Sequence, residues 1–147
     1  MELDGLYTRS LLRLAAALPP APRLAAPHVT GVATSRPCGS RIVVDLRFDG
    51  ETVSAFGQDV KACVIGQAVA SVIGRAIVGL SISEIAEGER ALQGLLVQRE
   101  LPLNGPWQPL AALLPVGDRP DRHYAALLPF EAVRNACDIW CAREQSS

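Results

Sequence analysis

The sequence predicts an α+β fold, a three-stranded antiparallel meander packed by several helices. Three observations carry that prediction. A cleanly alternating strand pattern runs from Arg41 to Phe48, the dipeptide Asp49-Gly50 follows it as a hairpin signal, and most of what lies beyond Cys63 keeps helical spacing. The 147 residues fit one domain, read here as spanning 1–147, with one core. Hydrophobic residues make up 49% of the chain, yet only three are Phe, two Tyr and two Trp. Leu, Val, Ile and Ala must therefore build that core.

The first helix is expected over about Leu6 to Leu18, capped by Asp4, with Leu11, Leu14, Ala15 and Leu18 on its apolar face. Pro19, Pro20 and Pro22 end it, and the stretch to Pro27 is a connector. Three strands follow. His28 to Thr34 is weakly patterned. In Arg41 to Phe48, Ile42, Val44, Leu46 and Phe48 face one way and Arg41, Asp45 and Arg47 the other. Thr52 to Val60 returns after the Asp49-Gly50 turn, so the meander is expected to bury one face.

The next helix spans Cys63 to Val78, where Gly79 stops it. Its apolar window, Ala62 to Leu80, raises the question of a membrane span. Gln67, Ser71 and Arg75 answer it, because their spacing sets them on one stripe, as in a half-exposed soluble helix. Ser81 and Glu84 form a capping box for the following helix, in which Ile82, Ile85, Leu92, Leu95 and Leu96 keep helical spacing although Gly88 and Gly94 weaken it. A Pro/Gly-rich link, Pro102 to Pro106, leads to a short helix around Gln108 to Leu114. A last helical region covers Arg122 to about Arg143, with Pro129 at a first turn or a kink.

A net charge of −1 argues against nucleic acid or acidic lipid as the main partner. Glu2 and Asp4 stand where a signal peptide needs positive charge, and Arg13 interrupts the apolar stretch. The expected compartment is therefore the cytoplasm, and its reducing conditions make the four cysteines thiols or metal ligands rather than disulfides. No HExxH, GxSxG, P-loop or GxGxxG pattern occurs, so no hydrolase, kinase or dinucleotide enzyme is indicated.

Two cysteines stand out. Cys38 lies in Arg36-Pro37-Cys38-Gly39-Ser40, a turn between strands, which sets its thiol at an exposed loop tip. Cys63 follows a strand and opens a helix, where unpaired N–H groups and the dipole favour a thiolate. Lys61, the sole lysine among fourteen basic residues, adds positive charge two positions earlier. A thiolate binds soft metals or carries sulfane sulfur. Cys137 and Cys141, four apart on the last helix among Ala136, Ile139 and Trp140, read as core residues. His28 carries no assignment, whereas His123, in Asp121-Arg122-His123-Tyr124, is a candidate ligand.

A wider set of residues carries a family likeness. It comprises Leu3-Asp4-Gly5-Leu6-Tyr7 with Pro22-Arg23, the Pro37-Cys38-Gly39 turn, Cys63 ahead of the small residues Ala68 to Ser71, the segment Val116, Pro120 and Arg122, and the helix from Leu127 to Val133. Nearly end to end, these resemble the NifU/IscU/SufU family of iron–sulfur cluster assembly scaffolds, and the SufU-like branch most. The resemblance implies an α+β fold, a non-enzymatic scaffold or carrier role, and iron or a [2Fe–2S] cluster held through Cys38 and Cys63. It also implies a cysteine desulfurase as sulfur source and recipient apoproteins as partners. The chain departs from the family pattern at four places. Ser40 stands where the family has an aspartate and Ala125 where it has its third cysteine. Tyr124 holds the place of a frequent histidine, with His123 one residue earlier. The Leu-Pro-Pro-Val-Lys chaperone motif of the IscU branch is absent.

A [2Fe–2S] cluster takes four ligands, so two thiols and His123 leave one protomer short. A symmetric homodimer would supply four thiolates, and a single iron or zinc would take Cys38, Cys63, His123 and a water or an aspartate such as Asp59 or Asp121. The alternatives are a SufE-like persulfide acceptor, which the Cys38-Gly39-Ser40 context also fits and in which Cys38 alone is essential, and a degenerate homologue acting as an adaptor.

Overall fold

Thr8, not Asp4, starts the first helix. In the computed structural model, which describes residues 5–146, α1 runs from Arg9 to Ala16 and the Thr8 hydroxyl accepts from the Leu11 N–H at 3.2 Å. Asp4 lies outside the described residues. The meander follows as β1 (Val29–Ser35), β2 (Ser40–Asp49) and β3 (Thr52–Lys61), antiparallel throughout with β2 in the centre. Gly50, at φ 64°, turns β2 into β3, and a register shift at Arg47/Phe48 leaves Ser54 as an extra residue on β3.

Ile42, Val44, Leu46 and Phe48 are buried as their alternation requires, but the other face of β2 is covered too. Asp45 is completely buried there, accepting from Arg23 Nε at 2.7 Å, from the Leu24 N–H at 3.0 Å and from the Thr30 hydroxyl at 2.6 Å. The proline-rich connector causes this. It leaves the β3 edge, where the Gln58 N–H donates to Ala21, crosses the sheet over Asp45 and Arg47, and enters β1 at His28. Burial opposes ionisation of Asp45, yet Arg23, Thr30 and the Leu24 amide together hold the carboxyl below its ordinary value.

The inner face of the sheet meets the helices α2 (Val64–Ala76) and α4 (His123–Ser146), while α3 (Ile82–Gln98) packs against α4 and the segment Gly105–Asp118. The core is built from aliphatic residues of β2, α2, α3 and α4, with Phe48, Trp107 and Phe130 as its large rings. Ser71, expected on an exposed stripe of α2, is fully buried and its hydroxyl has no partner among the described residues. Gln67 and Arg75 stay nearer the surface and donate to the Ala62 and Ala17 carbonyls. The capping box of Ser81 and Glu84 forms as expected. Gly88 does not weaken α3 idly: the Trp107 ring lies 2.4 Å from where a Cβ would stand, so only glycine lets the ring seat there. Between α3 and α4 the chain is 3-10 helical over Gly105–Asp118 and again over Pro120–Arg122, in place of the one short helix expected at Gln108 to Leu114. No helix among the described residues is long and apolar enough to cross a membrane.

Candidate functional site

Ser35 and Ser40 are the last residue pair of the β1–β2 ladder, and both are buried. Between them Arg36–Gly39 forms a four-residue turn, closed by the Gly39 N–H on the Ser35 carbonyl at 2.9 Å. Gly39 sits at φ 68°, a left-handed conformation that favours glycine, and this folds Cys38 back over the end of the ladder. Cys38 is exposed, and its Sγ lies 2.9 Å from the Ser40 hydroxyl.

Hydroxyl groups surround that sulfur. The Ser40 hydroxyl, the Ser35 hydroxyl, the Ser40 amide and the Tyr124 hydroxyl, in falling order of effect, pull the thiol down from an ordinary 9.0 to about 6. These contacts favour the thiolate form of Cys38. Tyr124, in the first turn of α4, responds in the opposite sense, since its hydrogen bond to Cys38 raises its own pKa. An open groove of about 630 Å³, bordered by Ser35, Arg36, Pro37 and Tyr124, runs alongside the turn.

Cys63 is the residue immediately before α2, in an extended conformation with no capping bond from its side chain. The cation against its sulfur is Arg122, whereas Lys61 is exposed at the end of β3. Arg122 also donates to the Tyr7 hydroxyl at 3.0 Å. Burial opposes the guanidinium charge, but Tyr7 and Cys63 hold its pKa above the ordinary value. Tyr124 feels Cys38 and Cys63 as well as Arg122, so both sulfurs share one end of the molecule.

The other candidates stand apart from this cluster. His123 directs Nε2 to the Gly117 carbonyl at 3.3 Å, and Asp121 pairs with Arg119. Among the described residues no group of three or more His, Cys, Asp or Glu is placed to hold a metal ion, so Cys38, Cys63 and His123 are not gathered as one ligand set. Cys137 is buried in the core and pushed up to about 12 by that burial, and Cys141 is half-buried. His28 proves structural: its Nδ1 accepts from the Phe48 N–H at 2.9 Å and its ring stacks on Trp140. Reading the sequence assigned no role to Ser35, Tyr124, Arg122 or Tyr7. For Ser35 a signal existed, since it and Ser40 flank a turn whose ladder pairs them.

Comparison with known proteins places the architecture. No family model matches the sequence, and no curated protein does. Solved structures do. A nitrogen-fixing NifU-like protein (N-terminal part) from Brucella abortus superposes with a TM-score of 0.87 at 29% identity, covering 99% of each chain. The chain resembles NifU/IscU/SufU-type proteins. A protein described as an iron–sulfur cluster assembly scaffold for the SUF system of Fervidobacterium islandicum shares the fold at a TM-score of 0.81 and 18% identity, over 92% of this chain and 99% of its own. A hypothetical protein does so at 0.75 and 19%, over 88% and 96%. The NifU/IscU/SufU resemblance read from the residues is borne out, and so is the α+β meander. Of the two positions read as departures from that pattern, Ser40 lies with its hydroxyl 2.9 Å from Cys38 Sγ, and Ala125 is buried just beyond Tyr124.

Proposed function

We propose that this protein serves iron–sulfur cluster assembly as a scaffold-type carrier and that Cys38 is where it takes up sulfane sulfur from a cysteine desulfurase. The observation that carries this reading is the exposed Cys38 sulfur at the turn tip, 2.9 Å from the Ser40 hydroxyl, where Ser40, Ser35 and Tyr124 lower its pKa. Such a sulfur attacks the outer sulfur of a donor persulfide; a new S–S bond forms at Cys38, the donor's S–S bond breaks, and the donor cysteine leaves as thiolate. The same hydroxyls would then face the terminal persulfide sulfur, which is itself an anion. The protein turns over no small molecule in this scheme, and it acts in the cytoplasm on recipient apoproteins.

A second reading keeps the metal. In it iron or a [2Fe–2S] cluster is cargo held by Cys38 and Cys63, with two copies supplying four thiolates, or zinc takes the same sulfurs. The feature in its favour is that both thiols occupy one end of the fold. Incubation with a desulfurase and cysteine, followed by mass spectrometry, and anaerobic reconstitution with ferrous iron and sulfide separate the two. Persulfide on wild type and Cys63→Ala but not on Cys38→Ala supports the sulfur carrier. A chromophore abolished by either substitution supports the scaffold, with half a cluster per chain marking a shared site. Neither signal leaves the adaptor.

A further inference from the structure

We propose that the groove beside the Cys38 turn binds a low-molecular-weight zwitterionic thiol the size of a short peptide, and that Cys38 exchanges disulfides with it. This deepens the proposed function and rests on the reading that Cys38 is the working residue. The groove holds about 630 Å³, within the range of small-ligand sites, and is apolar where Leu127 and the buried Leu128 of α4 meet Pro37 of the turn. Ser35 and Tyr124, whose hydroxyls serve the Cys38 sulfur, border it too. Cys38 follows Pro37 directly, so it stands at the rim of a cleft rather than on open surface. In the exchange its thiolate attacks one sulfur of the bound disulfide. A new S–S bond forms at Cys38, the old one breaks, and the departing half leaves as thiolate.

Four charged side chains border the groove, and two of them cancel. Glu89 of α3 pairs with Arg134 of α4, whereas Arg36 in the turn and Glu131 on α4 have no hydrogen bond or ion pair among the described residues. One cation and one anion left over suit a ligand that carries both a carboxylate and an ammonium. Burial raises the Glu89 carboxyl, Arg134 opposes that rise, and Glu131 and Asp138 add to it. An ammonium held by Glu131 would therefore relieve like-charge repulsion along that wall. The spacing fits as well. Tyr124, at the Cys38 end, and Glu131 both lie on α4, roughly 10 Å apart along its axis. About three extended residues span that length.

The test uses the full chain, reduced, and four small disulfides. Oxidised glutathione carries ammonium and carboxylate groups, cystamine the ammonium alone, dithiodipropionate the carboxylate alone, and hydroxyethyl disulfide neither. Peptide mass spectrometry follows the rate at which each forms a mixed disulfide with Cys38. The rate is expected to saturate with oxidised glutathione and to rise linearly with hydroxyethyl disulfide. Glu131→Gln is expected to slow oxidised glutathione and cystamine about threefold, the worth of an exposed ion pair, and to spare dithiodipropionate. Arg36→Gln is expected to slow oxidised glutathione and dithiodipropionate by a similar factor and to spare cystamine. Arg41→Gln, which removes an exposed cation outside the groove, is expected to change none of the four rates. A substitution in the groove that moved all four rates alike would overturn the proposal, since it would have altered Cys38 itself. An Arg41 effect equal to that of Arg36 would overturn it too, as would a linear dependence on oxidised glutathione, the result for a groove that takes a protein segment instead. Loss of persulfide loading from a desulfurase, with saturable exchange intact, would remove the sulfur-carrier reading and leave the groove standing.

Discussion

Cys38 Sγ and Ser40 Oγ stand 2.9 Å apart, at the position where the family pattern puts an aspartate. A carboxylate there would repel the thiolate and offer a cation a ligand; the hydroxyl donates to the thiolate instead. Ser40→Ala is therefore expected to raise the pH at which Cys38 becomes reactive. Iodoacetamide labelling against pH should turn on near 6 in wild type. In the variant the profile should shift upward by about one pH unit, since a hydrogen bond to a charged group is lost. An unchanged profile would mean that Ser35 and Tyr124 suffice.

Cys137 should behave in the opposite way. Burial raises its thiol to about 12, so it should resist alkylation at neutral pH until the chain unfolds. The sign of its linkage follows: the folded pKa lies above the unfolded one, so its contribution is complete below the ordinary thiol value and is lost as pH rises toward 12. Thermal melts between pH 8 and about 11 should fall more steeply for wild type than for Cys137→Ala, the pH window being that of an ordinary thiol upward.

Arg23 and Asp45 join the connector to the sheet, and Asp45 has no exposure of its own. Arg23→Ala leaves a buried carboxylate with one charged donor fewer and is expected to lower the urea midpoint at pH 7. The folded pKa of Asp45 is depressed, so its stabilisation is present above the ordinary carboxylate value and fades as pH falls through the folded one. The difference between wild type and Arg23→Ala should narrow below about pH 4.

Gly88→Ala tests the seat of Trp107. The added methyl meets the indole ring, which also donates to the Glu84 carbonyl at 3.0 Å, so the ring must shift. A loss of about 1–3 kcal/mol is expected, with a change in tryptophan fluorescence. A neutral or stabilising result, as helix propensity alone would favour, would show that the ring is loosely held.

What was legible in the sequence was local. The β2 alternation, the Asp49-Gly50 turn, the Ser81 capping box and the Cys38 turn each depend on residues within a few positions of one another, and each formed. The misread positions depended on distant chain. Asp45 looked solvent-facing because its burial needs a connector some twenty residues upstream, and Ser71 because α2 is enclosed by α1 and α4. The charge beside Cys63 was assigned to Lys61, its neighbour in sequence, when Arg122 reaches it through the tertiary fold. Tyr7 and Arg122 are 115 positions apart, beyond the reach of any pattern in one sequence.

The path of the connector has a consequence for self-association. Exposed strand edges are templates for pairing between chains. Here β3 spends the Gln58 N–H on the connector and the Val53 N–H on Leu80, while β1 gives its Val32 carbonyl to Asn135 of α4. Both borders of the small sheet are thus partly closed by the chain itself. The chain thus blunts, at both edges, the template through which sheets of separate copies would join.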